Sequence, residues 1–60
     1  MPALFAKRAL WRVPHGVVID IVTDDPLAAL DVPHMCRQEN FEVVSLRRDG
    51  NLTRMALRRP

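Results

Sequence analysis

Hydrophobic and polar positions repeat with two different periods along this chain, and they predict five elements. Over residues 3–13 the apolar positions recur at helical spacing, which predicts an amphipathic helix. Residues 17–23 are instead dominated by valine and isoleucine, which predicts the strand Val17–Thr23. The apolar face of the predicted helix consists of Ala3, Ala6, Leu10 and Val13.

Acidic residues and prolines predict two helix starts in series after this strand. Asp25 is suited to cap a helix whose first residue is Pro26, because proline lacks the N–H that a first turn leaves unpaired. After a short turn, Asp31 is suited to cap a second helix, with Pro33 in its first turn. We expect that second helix to run to about Glu39.

The last third of the chain predicts a β-hairpin, Phe41–Arg48 and Leu52–Arg59, around Asp49-Gly50. If Arg48 pairs with Asn51, one face carries Glu42, Val44, Leu46, Thr53, Met55 and Leu57. The opposite face carries Val43, Ser45, Arg47, Leu52, Arg54, Ala56 and Arg58. Packing the helices on the first face gives a two-layer α/β sandwich in the order α-β-α-β-β.

Length and composition limit the possible classes of protein. The 60 residues form a single domain, 1–60, and no apolar run is long enough to span a membrane. A single cysteine excludes an internal disulfide, which favours a reducing cytoplasm as the location. No cofactor is expected, because the sequence has no glycine-rich phosphate loop.

Two candidate constellations of side chains have simpler explanations. A metal site built from Asp31, His34 and Cys36 is disfavoured, because helical residues two positions apart point to different sides. Asp24 and Asp25 are better explained by helix capping than by acid–base catalysis. We therefore expect no metal and assign no catalytic residue.

The charge is unevenly distributed. Residues 1–16 carry +3, residues 17–42 carry −5 and residues 43–60 carry +4. The basic face of Arg47, Arg54 and Arg58 suggests nucleic-acid binding, but the acidic middle would repel phosphates. Whether nucleic acid is a partner stays open on this evidence.

Several of these segments together resemble the TusA/SirA family of small sulfur-carrier proteins. The resemblance rests on the Lys7-bearing helix, Asp24-Asp25-Pro26 after a strand, Asp31-x-Pro33-x-x-Cys36-Arg37 and the closing hairpin. It implies the family fold β-α-β-α-β-β, here without its first strand. Asn40-Phe41 stands where the family has Gly-His, although asparagine can also adopt the left-handed conformation that ends helices.

The resemblance also implies where the chemistry would lie. Family members carry a persulfide on the cysteine of a Cys-Pro-x-Pro motif at the start of the first helix, and Met1-Pro2 falls at its last two positions. Met1 cannot hold a persulfide, so the chain as given is expected to be inactive in sulfur transfer. Cys36 is expected to be a packed, inert thiol in the second helix.

Three interpretations follow for function. The chain is a sulfur carrier whose start was assigned too late, with Cys-Pro encoded upstream; or a binding module of the same fold that lacks the chemistry; or an RNA-binding protein. By resemblance its partners are sulfur-relay proteins. The absence of a first strand would also expose the edge of Val17–Thr23, which predicts self-association.

Overall fold

The computed structural model describes residues 3–60, which fold into two helices packed on one face of a three-stranded sheet. The elements are α1 (Leu4–Arg12), β1 (Val18–Thr23), α2 (Pro26–Gln38), β2 (Glu42–Asp49) and β3 (Leu52–Arg58). The strand order is β1-β3-β2, and both pairings are antiparallel. The predicted α/β sandwich and its element order are confirmed, and the described residues include no strand ahead of α1.

The core lies between α1, α2 and the central strand β3. Its largest fully buried side chains come from all three elements, as Leu10, Val32, Cys36, Met55 and Leu57. Of the predicted inward face of α1, Ala3, Ala6 and Leu10 are buried, whereas Val13 follows the end of the helix and is only partly buried. Pro2, which precedes this predicted helix, lies outside the described residues.

The second helical region is one helix, so the predicted second start is wrong. Asp31 and Pro33 lie inside α2, which runs unbroken from Pro26 to Gln38. The reason is burial: Ala28, Val32, Met35 and Cys36 form one buried stripe at helical spacing, which only a continuous helix can present. This burial outweighs the roughly 3 kcal/mol that an interior proline costs.

The end of α2 follows the prediction for asparagine. Asn40 has φ of 59°, the left-handed conformation that closes a helix, and the N–H of Phe41 then donates to the Cys36 carbonyl at 2.7 Å. This turn directs Phe41 into the core, where it is 7% exposed.

The hairpin forms as predicted, but its register differs. Asp49 pairs with Leu52, so the two-residue turn is Gly50-Asn51, and Gly50 takes the positive φ of 64° at the first central position. Because this register differs from the predicted one by two residues, the side chains between Ser45 and the turn stay on their predicted faces.

An irregularity between Val43 and Ser45 then changes the face of the first part of β2. Val43, opposite Leu57, packs on the core instead of facing solvent, whereas Val44 is 47% exposed. Glu42 lies opposite Arg58 rather than opposite Leu57. The predicted placement of Val43, Val44 and Glu42 is therefore wrong, because a bulge cannot be read from strand alternation.

Candidate functional site

Cys36, the single cysteine of the sequence, lies in the interior of α2. Its side chain is fully buried in the core, and this burial raises the pKa of the thiol. Both effects oppose thiolate chemistry, because the nucleophilic form is charged and must reach its reaction partner.

The start of α1 is the second candidate site, because the resemblance implies that the reactive cysteine of the family lies at the start of this helix. Ala3 is the N-cap residue of α1 and provides no side-chain hydrogen bond to the helix end. Met1 and Pro2, the remnant of the Cys-Pro-x-Pro motif in the sequence, lie outside the described residues.

The acidic residues before α2 have structural roles. The Asp25 carboxylate accepts a hydrogen bond from the N–H of Leu27 at 2.9 Å, and Pro26 is the first helical residue. The Asp25 N–H in turn donates to the Thr23 hydroxyl at 3.0 Å. These contacts fix the entry into α2.

A groove of about 630 Å³ runs along α1 and ends at this entry into α2. We call it the α1 groove. It is lined by Leu4, Phe5, Arg8, Ala9 and Arg12 of α1, together with Thr23, Asp25 and Ala28. Leu4 and Phe5 are 44% and 50% exposed, so the groove presents apolar surface to solvent. Neither arginine forms an ion pair within residues 3–60.

The other flank of α1, which faces α2, has contacts within the chain and also borders a smaller groove of about 210 Å³, which Leu4 and Lys7 line. Lys7 forms an ion pair with Glu39, and the Trp11 ring meets Phe41 edge-on at 5.6 Å. The Arg59 guanidinium lies 4.9 Å from the centre of the Trp11 ring and donates to the Val13 carbonyl at 2.6 Å. Trp11 therefore has partners within the chain, although it is still 54% exposed.

The open face of the sheet carries fewer free cations than its sequence suggests. Arg58 forms an ion pair with Glu42, whereas Arg47 and Arg54 lie directly opposite each other and have no ion pair within the described chain. Phe41, the one aromatic residue that could have served for base stacking there, is in the core. The basic face thus reduces to the pair Arg47 and Arg54.

Two of the residues considered for a metal site, His34 and Cys36, lie on different sides of α2. Cys36 is buried, whereas His34 is exposed, so the two side chains do not converge. Within residues 3–60, no three side chains of His, Cys, Asp or Glu are grouped to hold a metal ion. In the same part of the chain, neither helix has the length and apolar character needed to cross a membrane.

Sequence comparison identifies the family. The model of one family, described as sulfurtransferase TusA, matches residues 1–59. This chain belongs to the TusA family. Searches of curated proteins and of solved structures return no match. The predicted resemblance is confirmed, and the observed sandwich is consistent with the TusA fold.

Within this TusA-family sandwich, sequence reasoning did not identify the α1 groove. The sequence analysis gives Arg8 and Arg12 no role beyond the positive charge of residues 1–16. The signal available in the sequence was Phe5 followed by Arg8 and Arg12, two arginines at helical spacing. They lie within residues 1–16, which contain no acidic residue. Such a set has no local partner on its own helix.

Proposed function

We propose that this TusA-family chain acts in sulfur relay by binding relay proteins in the cytoplasm without itself carrying sulfur. The observation that carries the proposal is the burial of Cys36, which is the only thiol in the sequence. A sulfur carrier needs a thiolate that a donor can reach, and Cys36 has neither exposure nor a lowered pKa.

The single sandwich supports a binding role because it leaves two surfaces without partners inside the described chain. These are the α1 groove and the arginine pair on the open sheet face. Sulfur-relay proteins are the partners that family membership favours. The domain, residues 1–60, would thus contribute recognition rather than chemistry.

The test is persulfide loading by a cysteine desulfurase supplied with cysteine. We expect the intact mass of this chain to gain no sulfur atom, whereas a TusA-family protein with a complete Cys-Pro-x-Pro motif gains one. We also expect the chain to bind the desulfurase in a pull-down. Sulfur addition that is lost in Cys36→Ser would contradict the proposal.

Self-association through the edge of β1 remains a prediction for this module. Strand β1 is at one edge of the described sheet, which leaves one side of its backbone available for pairing. Sedimentation equilibrium over a range of concentrations tests it. A mass that stays monomeric at every concentration would contradict it.

RNA binding is a second candidate, supported by the cross-strand pair Arg47 and Arg54. Like charges directly opposite each other destabilise a sheet, and a bound phosphate would relieve that repulsion. We expect RNA affinity to fall with added salt and to be lost in Arg47→Gln/Arg54→Gln, with Arg37→Gln on α2 as the matched control. No binding at low salt would dismiss this candidate.

A further inference from the structure

We propose that the outer surface of α2 packs against the same surface of a second copy of this chain, with the two helices antiparallel. We call this surface the α2 stripe, and it consists of Leu27, Leu30, His34 and Arg37. The proposal goes beyond the binding of relay proteins, because it assigns a different surface and a different partner.

The α2 stripe contains the most exposed large apolar side chains of the described chain. Leu30 is 70% exposed and Leu27 is 60% exposed, more than any other large apolar residue among residues 3–60. His34 and Arg37 are exposed as well. The four residues recur at intervals of three and four, so they form one stripe opposite the buried side of α2. This spacing is typical of a helix that packs against another helix.

A groove of about 460 Å³ beside the stripe gives a facing helix room to pack. Its lining consists of Ala29, Leu30, Asp31, Pro33, His34 and Arg37. The short side chains of Ala29 and Pro33 form one wall, and Leu30 forms part of the other. A leucine of a second helix can therefore enter this groove, as the ridges of one helix enter the grooves of its neighbour.

The charges along α2 favour an identical helix as that neighbour. Asp24 and Asp25 precede the N-terminal end of α2, whereas His34 and Arg37 lie toward its C-terminal end. Leu30 lies midway between Asp24 and Arg37 along the chain. When two copies of α2 cross antiparallel near Leu30, Arg37 of each copy meets the two aspartates of the other. Parallel pairing would instead bring like charges together.

The charged groups of this pairing are available within the described chain. Asp24 and Arg37 are exposed and form no ion pair within residues 3–60. Arg48 lines a small groove with Asp24 but forms no ion pair with it. Asp31 is partly buried and lines the groove toward α1 together with Lys7, so it lies to one side of the stripe. The interface is thus self-complementary, as a two-fold dimer requires.

Sedimentation equilibrium of the full chain over a series of concentrations tests the dimer. We expect the mass to rise from that of a monomer toward that of a dimer at low salt, and the rise to need higher concentrations when salt is added. The surface is small, so the dimer should be weak. Leu30→Gln should remove the rise in mass, whereas Leu46→Gln, at an exposed leucine of β2, should leave it unchanged.

Charge reversal tests the antiparallel orientation. Arg37→Glu and Asp24→Arg should each weaken the dimer by about tenfold. An equimolar mixture of these two variants should dimerise again, because both contacts in the mixed dimer then join opposite charges. Arg47→Glu makes the same charge change on the open sheet face and should change the affinity by less than about twofold.

Amide resonances give a readout that needs no variant. Those of residues 27–37 should shift between dilute and concentrated samples of the unmodified chain. Shifts confined to Val18–Thr23 would assign the contact to β1 and overturn the proposal. A monomer at every concentration, or a mixture of the charge variants that fails to dimerise, would also overturn it.

The outcomes separate this proposal from the proposed function. If no dimer forms while the desulfurase still binds, the dimer alone is wrong. If the chain loads sulfur and still dimerises through α2, the proposed function fails and the dimer stands.

Discussion

The two flanks of α1 contain the same kinds of residue but differ in what surrounds them. On the flank facing α2, Lys7 and Trp11 have partners from α2 and from the C-terminal segment. On the groove flank, Arg8 and Arg12 have no ion pair and Phe5 has no aromatic partner within the described residues. Lys7 and Trp11 therefore stabilise the fold, whereas Arg8, Arg12 and Phe5 are available to bind another molecule.

The comparison shows that residue type alone does not identify a binding surface in this domain. A chain of this size buries only roughly 60% of the surface of its unfolded form, so many apolar groups stay exposed. What distinguishes the groove flank is a pair of arginines without ion pairs in the described residues, beside exposed apolar side chains. Substitutions on the two flanks should consequently differ in their effect on stability.

The largest difference in stability is expected between substitutions at Leu10, on the buried face of α1, and at Leu4, in the groove. Leu10 is fully buried and Leu4 is 44% exposed in the groove. Leu10→Ala should lower the free energy of unfolding by about 2–5 kcal/mol because it leaves a cavity, whereas Leu4→Ala should lower it by less than about 1 kcal/mol. Urea unfolding measures both.

Leu10→Ala is expected to use up most of the stability of so small a domain. Added sulfate, which strengthens burial, should restore its folded circular dichroism signal. Equal losses for the two leucines would mean that the groove flank is part of the core, and would contradict the comparison.

The next contrast is between two arginines. Arg59 packs on the Trp11 ring and donates to the Val13 carbonyl, so Arg59→Ala should cost roughly 1–2 kcal/mol. Arg8→Ala should stay within about 0.5 kcal/mol, because Arg8 has no such partner. Thermal unfolding of both variants measures the difference. A larger loss for Arg8 would show that the groove arginine is structural.

The titration and the reactivity of Cys36 show how well the core beneath α2 is protected from solvent. Burial raises the pKa of its thiol above the ordinary value of about 8.5, so the folded state holds this proton at a pH where the unfolded chain releases it. The contribution to stability is fully present below that value and is lost as pH rises toward the folded-state pKa. Urea midpoints measured from neutral to alkaline pH should therefore fall.

In Cys36→Ala this part of the pH dependence should disappear, whatever the variant's absolute stability. Iodoacetamide gives a second readout: Cys36 should react slowly, whereas a thiol placed in the groove by Phe5→Cys in the Cys36→Ala background should react fast. Similar rates at the two positions would mean that the core opens readily.

The sequence predicted the element order because each element has its own local signal. The valine–isoleucine run of β1 and the aspartate–proline start of α2 needed no knowledge of distant contacts. The break predicted at Asp31 and the faces of Val43 and Val44 were wrong, because tertiary burial keeps α2 continuous and a bulge shifts β2. The α1 groove could not be predicted, since it depends on how α1 lies relative to Thr23, Asp25 and Ala28, which are distant from it in sequence.

The smallest effect is expected at the Lys7–Glu39 ion pair, which links α1 to the C-terminal end of α2. Both side chains are partly exposed, at 41% and 30%, so water and salt screen the pair. A double-mutant cycle with Lys7→Gln and Glu39→Gln should give a coupling of roughly 0.2–1 kcal/mol that declines as salt is added. Lys7→Gln combined with Asp31→Gln, whose groups form no ion pair, should give no coupling. If the Lys7–Glu39 coupling were absent, only the contacts of Trp11 with Phe41 and Arg59 would distinguish this flank from the groove flank. The contrast between the flanks would then be one of packing rather than of charge.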